Sequence, residues 1–300
     1  MNNKVVFILG PTGVGKTDIS VKLAKEFNGQ IISSDSVQIY KEFDIGSAKV
    51  TKDEMQGVVH YGIDILSPTQ EFSAFDYAQY TKEKIKEISS KGCLPIVVGG
   101  TGLYVKALVE GYNFGDVQKN KEFRDKIEDE IELNGLDYAY NKLLELDKDL
   151  ALKVDGKNKV RVIRALEIAT FGSKKEKSGK SDFDYKIFAL NLDRELLYDR
   201  INKRVDIMVE NGVIDEAKSL YEKYGLVQPM SAIGYKEFIP YFNSEMELSR
   251  CIDLVKQHSR NYAKRQLTFL RGMQNIEFID VLDRDLAFEK IKNSIKIFTK

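Results

Sequence analysis

Tryptophan is absent from this 300-residue chain, histidine and cysteine occur only twice each, and proline occurs five times. Two histidines and two cysteines do not supply a tetrahedral zinc cluster. Cys93 and Cys251 lie far apart, so reduced thiols and a cytoplasmic location are expected. Few prolines and no long polar tract exclude extensive disorder. No apolar run approaches the roughly 20 residues needed to span a bilayer, so no membrane association is expected. Val5–Leu9 is a run of five that meets Gly10-Pro11 directly, unlike a signal peptide. Neither charge sign dominates: 46 Lys and Arg balance 46 Asp and Glu. That balance excludes a uniformly basic coat but leaves room for a local basic patch.

Apolar patterning divides the rest. Val5–Leu9, Gln30–Ser34, Leu94–Val98, Lys186–Leu192 and Ile276–Asp280 read as buried strands. Helical periodicity follows Lys16 and runs over Ala74–Lys91, Arg194–Gly212, Val213–Gly225 and about Ser244–Arg271. This alternation predicts an α/β fold, a parallel sheet with helices on both faces, which the G-x-x-x-x-G-K-[ST] pattern at Gly10–Thr17 makes P-loop NTPase-like. The alternation stops between Phe114 and Tyr185. Phe114–Asp155 carries 12 acidic and 7 basic residues, and Gly156–Tyr185 carries 8 basic and 4 acidic. The expected organisation is a core of 1–113 and 186–300 around a mostly helical insertion domain, 114–185. Gly172–Asp184, rich in Lys, Gly and Ser, is expected to return the chain as a loop.

Gly10-Pro11-Thr12-Gly13-Val14-Gly15-Lys16-Thr17 fits G-x-x-x-x-G-K-[ST], the nucleotide-binding (ATP-binding) pattern, between a strand and a helix. Its backbone N–H groups and the helix N-terminus suit a diphosphate or triphosphate. Lys16 neutralises terminal phosphates and the Thr17 hydroxyl ligates Mg²⁺. A kinase or NTPase adds an acid after a later strand. Here Pro95–Val98 ends in Gly99-Gly100-Thr101, with no acid. Asp35 instead follows the second strand, at the sheet edge shared with the P-loop. It is a candidate general base or outer-shell Mg²⁺ ligand. The plain alternative is a turn or N-cap aspartate.

With these residues in place, the chain resembles the tRNA dimethylallyltransferase (tRNA isopentenyltransferase) family. The matches are G-P-T-G-V-G-K-T, S-S-D-S-V-Q-I-Y, D-I-G-S-A-K, V-V-G-G-T-G-L-Y, R-V-I-R-A-L-E, R-I-N-K-R-V, A-I-G-Y-K-E and K-R-Q-L-T-F-L-R, in family order over nearly the whole chain. Ser47 stands where Thr is usual and Val50 where Pro is usual. The resemblance implies transfer of a dimethylallyl group from dimethylallyl diphosphate to the exocyclic amine of the adenine 3′ of the tRNA anticodon. The cradle would then hold a diphosphate leaving group. Asp35 would be the base, Lys16, Thr17 and Arg204 would stabilise the diphosphate, and Thr101 would line the channel. Arg200 shares a helix face with Arg204, and the family motif favours Arg204.

The target base must be swung out of the anticodon loop. Ser36, Val37 and Gln38 beside Asp35 are expected to hold it. From Arg250 to Asn275 six basic residues face one acid, Asp253. Lys256, Arg260 and Lys264, spaced by four, form a helical stripe, with Arg265 adjoining and His258 and Gln266 adding polar contacts. Leu248, Cys251, Val255 and Tyr262 occupy another face, expected to pack on the core. Phe123 and the run Val160, Arg161, Val162, Ile163 and Arg164 are expected to contact tRNA from the insertion, which would clamp the anticodon stem-loop. A monomer is expected. The alternatives are a prenyltransferase acting on free adenine nucleotides, a P-loop kinase or NTPase, and a non-catalytic RNA-binding protein.

Overall fold

The computed structural model describes residues 3–109, 120–172 and 181–300. The chain divides into two compact units, Met1–Val109 with Ser181–Lys300, and Glu110–Lys180. In chain order the first unit begins with β1 (Lys4–Leu9), α1 (Lys16–Glu26), β2 (Gly29–Ser34), α2 (Lys52–Met55), β3 (His60–Tyr61), α3 (Ala74–Ser90), β4 (Leu94–Gly99) and α4 (Gly102–Val109). The second unit contributes α5 (Lys121–Asn134), α6 (Leu136–Leu146), α7 (Lys148–Ala151) and α8 (Lys159–Phe171). The first unit resumes with β5 (Asp184–Asn191), α9 (Arg194–Glu210), α10 (Val213–Tyr224), α11 (Ile239–Phe242), α12 (Leu248–Arg271), β6 (Ile276–Asp280) and α13 (Arg284–Thr299).

The six strands form one sheet in the order β3-β2-β4-β1-β5-β6, parallel throughout. Central β1 presents Val5, Val6, Phe7 and Ile8 without exposure, the continuous apolar run of a strand covered on both faces. In register, Leu9 lies beside Gly99, and Gly99 beside Ser34. The chain therefore leaves β1, β4 and β2 at one edge, where the P-loop, Gly100-Thr101 and Asp35 begin.

Two of the first unit's apolar clusters bear on the site. One wraps the sheet through Val6, Ile8, Leu23, Ile96, Phe188 and Ile291. The other joins Ile39, Tyr40 and Phe43 to Val205 of α9, Leu220 of α10 and Cys251 of α12. The second unit has its own core of Ile127, Leu143, Val162, Ile163 and Leu166. Helix starts follow side-chain chemistry. Ser73 and Asp76 form a reciprocal capping box on α3, and Asp193 caps α9.

The structure differs from expectation at three places. Two-residue β3 was not anticipated, because so short an edge strand has no period to read. The fourth strand begins at Asp184, inside the expected 114–185 insertion, because Asp184 pairs with Lys4. The longest helix begins at Leu248 instead of Ser244, since Ser244 has a left-handed φ of 60° and Glu247 is extended. Of the expected return loop and the insertion's first residues, 173–180 and 114–119 lie outside the described residues. Among the described residues no helix is long and apolar enough to cross a membrane.

Candidate functional site

The P-loop turns at Gly13 and Gly15, whose φ values of 78° and 96° are left-handed and favour glycine. Gly15 stands at the N-cap of α1, and no side chain caps that helix end. Its first N–H groups are thus available to an anion. Lys16 Nζ donates to the carbonyls of Gly10 and Pro11, at 3.0 and 2.8 Å. Thr17 is exposed into the cavity, and its hydroxyl has no partner among the described residues. The Thr12 amide is an exception among the expected phosphate donors, because it donates to Gln266 Oε1 at 3.0 Å. Gln266 Nε2 in turn donates to Gly100 O at 3.0 Å, tying the P-loop to the end of β4. The Thr12 hydroxyl accepts from Arg204 Nη1 at 3.0 Å.

Asp35 opens the turn after β2. Its Oδ1 accepts from the amides of Val37 (2.9 Å) and Gln38 (3.2 Å), so the plain reading as a turn aspartate holds for that oxygen. Oδ2 has no hydrogen-bond partner among the described residues. Gln38 Nε2 donates to Ala48 O at 3.1 Å, which leaves its carbonyl oxygen for a ligand. The second polar loop, Asp44–Lys49, lies across from it. Lys49 is 8 % exposed and bridges Asp44 and Asp64 at 2.5 Å each, locking that loop to the turn at Asp64.

These elements enclose an open cavity of about 900 Å³. Thr12, Gly13, Gly15, Lys16, Thr17, Asp35, Ser36, Val37, Gln38, Arg204 and Arg265 all line it, as expected of a shared site. Its electrostatics follow from burial. Desolvation, with Arg204 nearby, lowers Lys16 to about 7, and Asp35 opposes that shift. Arg204 is also lowered by desolvation, opposed by Asp35. Two cations facing one carboxylate suit a dianionic or trianionic guest. Burial raises the phenols of Tyr77 (to about 12), Tyr104 and Tyr262, and the Asp35 charge adds to all three shifts.

Other expectations change. Gly10 and Pro11 contribute carbonyls to Lys16, and Val14 is 1 % exposed in the core, so its side chain meets no ligand. Thr101 lies just outside the cavity lining. It is hydrogen-bonded to Tyr262, a residue expected on a core-facing side but found at the cavity. The cationic stripe of α12 is largely occupied: Lys256 pairs with Asp206 of α9 at 2.5 Å, and Arg260 donates to Asn202 of α9 at 2.6 Å. His258 pairs with Glu237 at 2.8 Å. Lys264 and Arg265 remain exposed, and Arg265 stacks over the Tyr262 ring at 5.6 Å.

In the second unit, Val162 and Ile163 are core residues, 0 and 4 % exposed, so their side chains are closed to RNA. Phe123 packs edge-on to Phe171. Arg164 joins Arg124 on the fully buried carboxylate of Glu167. Val160, 73 % exposed, and Arg161 face outward. Sequence reasoning missed Gln266 as a link between strand ends. Its one available signal was a polar residue in the buried stripe Ala263, Gln266 and Leu270.

Among the described residues no group of three or more His, Cys, Asp or Glu gathers at metal-binding distance. A metal here would rest on the Thr17 hydroxyl, waters and the guest's own phosphate oxygens, a donor set that suits Mg²⁺.

The IPP transferase family profile matches residues 38–273. A tRNA dimethylallyltransferase from Lactococcus lactis is 46 % identical over 293 residues, covering 97 % of this chain and 98 % of the relative. The crystal structure of a tRNA isopentenylpyrophosphate transferase from Bacillus halodurans is 42 % identical, with a TM-score of 0.76 over 99 % of this chain and 96 % of the other. A eukaryotic dimethylallyltransferase acting on tRNA is 31 % identical, with a TM-score of 0.83 over 94 % of this chain and 75 % of the other. A profile covering most of the chain and relatives aligned along nearly all of it give one result: the chain belongs to the IPP transferase family.

Proposed function

We propose that the protein transfers a dimethylallyl group from dimethylallyl diphosphate to the exocyclic amine of the adenine 3′ of the anticodon in tRNA, releasing diphosphate. The observation that carries this reading is the shared cavity of the P-loop and Asp35. The strand that would carry a phosphoryl-transfer acid ends instead in Gly99-Gly100-Thr101. A cradle for diphosphate facing a carboxylate with a free oxygen fits a diphosphate leaving group and an acceptor that loses a proton.

In this reading the carbon–oxygen bond of the donor breaks and a nitrogen–carbon bond forms to the adenine. The amine's proton passes to Asp35 Oδ2, while Oδ1 stays on the turn that orients the carboxylate. Lys16, Arg204 and the α1 amides carry the charge gathering on the diphosphate. Mg²⁺ held at Thr17 supplies further charge neutralisation when bound. Ser36, Val37 and Gln38 line the pocket for the swung-out base, and Tyr262 holds Thr101 beside it. Lys264, Arg265, Val160 and Arg161 are the tRNA contacts that remain open to solvent. The protein acts as a cytoplasmic monomer.

The test supplies Mg²⁺ and labelled dimethylallyl diphosphate with either tRNA or AMP. Label in tRNA alone is expected. Label in AMP alone would indicate a free-nucleotide enzyme, and phosphate transfer from ATP a kinase.

A further inference from the structure

Two sequence motifs have no part in the chemistry above: Asp44–Lys49 and Ala232–Glu237. They meet at Glu216 of α10. Its Oε2 accepts from the amides of Asp44 (3.2 Å) and Ile45 (2.8 Å), and its Oε1 from those of Ile45 and Gly46 (3.0 Å each). The Tyr235 hydroxyl donates to the same Oε1 at 2.7 Å and accepts from the Ser47 amide at 3.1 Å. Four consecutive backbone amides therefore converge on two side chains.

The fit leaves no slack. Tyr235 is fully buried, with its ring 4.9 Å from that of Phe43. A Cβ on Gly46 would sit 2.5 Å from the Tyr235 ring, so only glycine fits there. Glu237, 4 % exposed, accepts from the Gly234 amide at 2.9 Å and pairs with His258 of α12, which fixes the turn bearing Tyr235. Burial and the Glu216 charge push the Tyr235 phenol up, so it stays a donor.

The loop's other side is the cavity wall, where Asp44 to Thr51 line the space facing the P-loop. There the Ala48 carbonyl accepts from Gln38 Nε2 at 3.1 Å and from Arg204 Nη2 at 3.4 Å. Arg204 thus hangs between Thr12 of the P-loop and this loop. A surface turn needs no carboxylate to close it; its amides can be met by water. A carboxylate accepting several N–H groups holds a backbone far more rigidly.

We propose that Glu216 and Tyr235 form a positioning pair that fixes loop 44–49, and through Ala48 O sets Arg204 and Gln38 for prenyl transfer. The proposal rests on the functional reading above, in which Arg204 faces the diphosphate and Gln38 the base. Neither member of the pair touches a substrate.

Glu216→Gln puts an amide NH₂ against backbone donors, and Tyr235→Phe keeps the ring while removing the hydroxyl. Each is measured in single-turnover transfer from labelled donor to tRNA, alone and combined with Arg204→Ala or Gln38→Ala. Each single variant is expected to slow transfer by about tenfold or more, as misplaced reacting groups do. In at least one of the two backgrounds that loss should shrink by about threefold or more, because the pair acts through those residues. Amide hydrogen exchange at Ile45 and Gly46 should quicken in both variants. Unchanged transfer, or losses that multiply in full in both backgrounds, would overturn the proposal. If Glu216→Gln does not fold, Tyr235→Phe carries the same test. A wild-type protein that labels no tRNA overturns the functional reading and this proposal together, whereas an active wild type with unaffected variants overturns this proposal alone.

Discussion

Lys16 exchanges its proton near pH 7 because burial and Arg204 both disfavour its charge. A diphosphate opposite Nζ favours that charge and raises the value. Between the two values donor binding takes up a proton, so affinity falls as pH rises above about 7. Calorimetry at about pH 8 in two buffers of different ionisation enthalpy should show proton uptake, lost in Lys16→Arg, whose guanidinium stays charged. The same shift acts on folding. The unfolded lysine titrates near 10.5, so the unfolded state binds more protons from about 7 to 10.5, and this contribution to stability rises with pH across that window. Gln266 gives a second prediction at this scale. Gln266→Leu leaves the Thr12 amide and the Gly100 carbonyl without partners and should cost about 1–3 kcal/mol in denaturant unfolding. Lys16, Thr17, Asp35 and Arg204 were legible because each sits in a local motif or at a strand end. The links made by Gln266 and Tyr262 were not, because partners so far apart in sequence meet only in the fold, Gln266 lying 254 residues from Thr12.

At the scale of elements, period identifies a helix face but not what that face meets. Lys256, Arg260 and Lys264 do lie along one side of α12, yet α9 supplies Asp206 and Asn202 to the first two. Charge removal at Lys264 should therefore lower the salt dependence of tRNA binding by about one unit of slope. Lys256→Ala should leave it nearly unchanged. Fluorescence titration at several salt concentrations distinguishes them. In α8 the same logic separates two neighbours. Arg161→Ala should reduce the slope, whereas Arg164→Ala removes a partner of buried Glu167 and should lower thermal stability. Equal slopes for Arg161→Ala and wild type would exclude α8 from the interface. The helix caps at Ser73 and Asp193 were visible as residue types, but the pairing of Arg124 and Arg164 on buried Glu167 needed α5 and α8 side by side.

For the molecule as a whole, the parallel sheet was legible because buried strands read as continuous apolar runs and their order along the chain implies helical crossovers. Their order in space, with β4 between β1 and β2, was not legible, since it depends on which helix crosses which face. That order is what brings Leu9, Gly99 and Ser34 into register and joins the three loops of the site. Zero net charge likewise concealed a local arrangement, in which Lys256 on the expected RNA-binding face is paired with Asp206 while Lys264 and Arg265 are exposed. In the proposed reaction Asp35 takes the amine's proton at this edge. The direct test is single-turnover transfer on tRNA already bound to Asp35→Ala, with tRNA affinity measured on the same protein. A rate lower by about 100-fold or more with affinity little changed is expected; an undiminished rate on the tRNA that does bind, with affinity lost instead, would sink the base role.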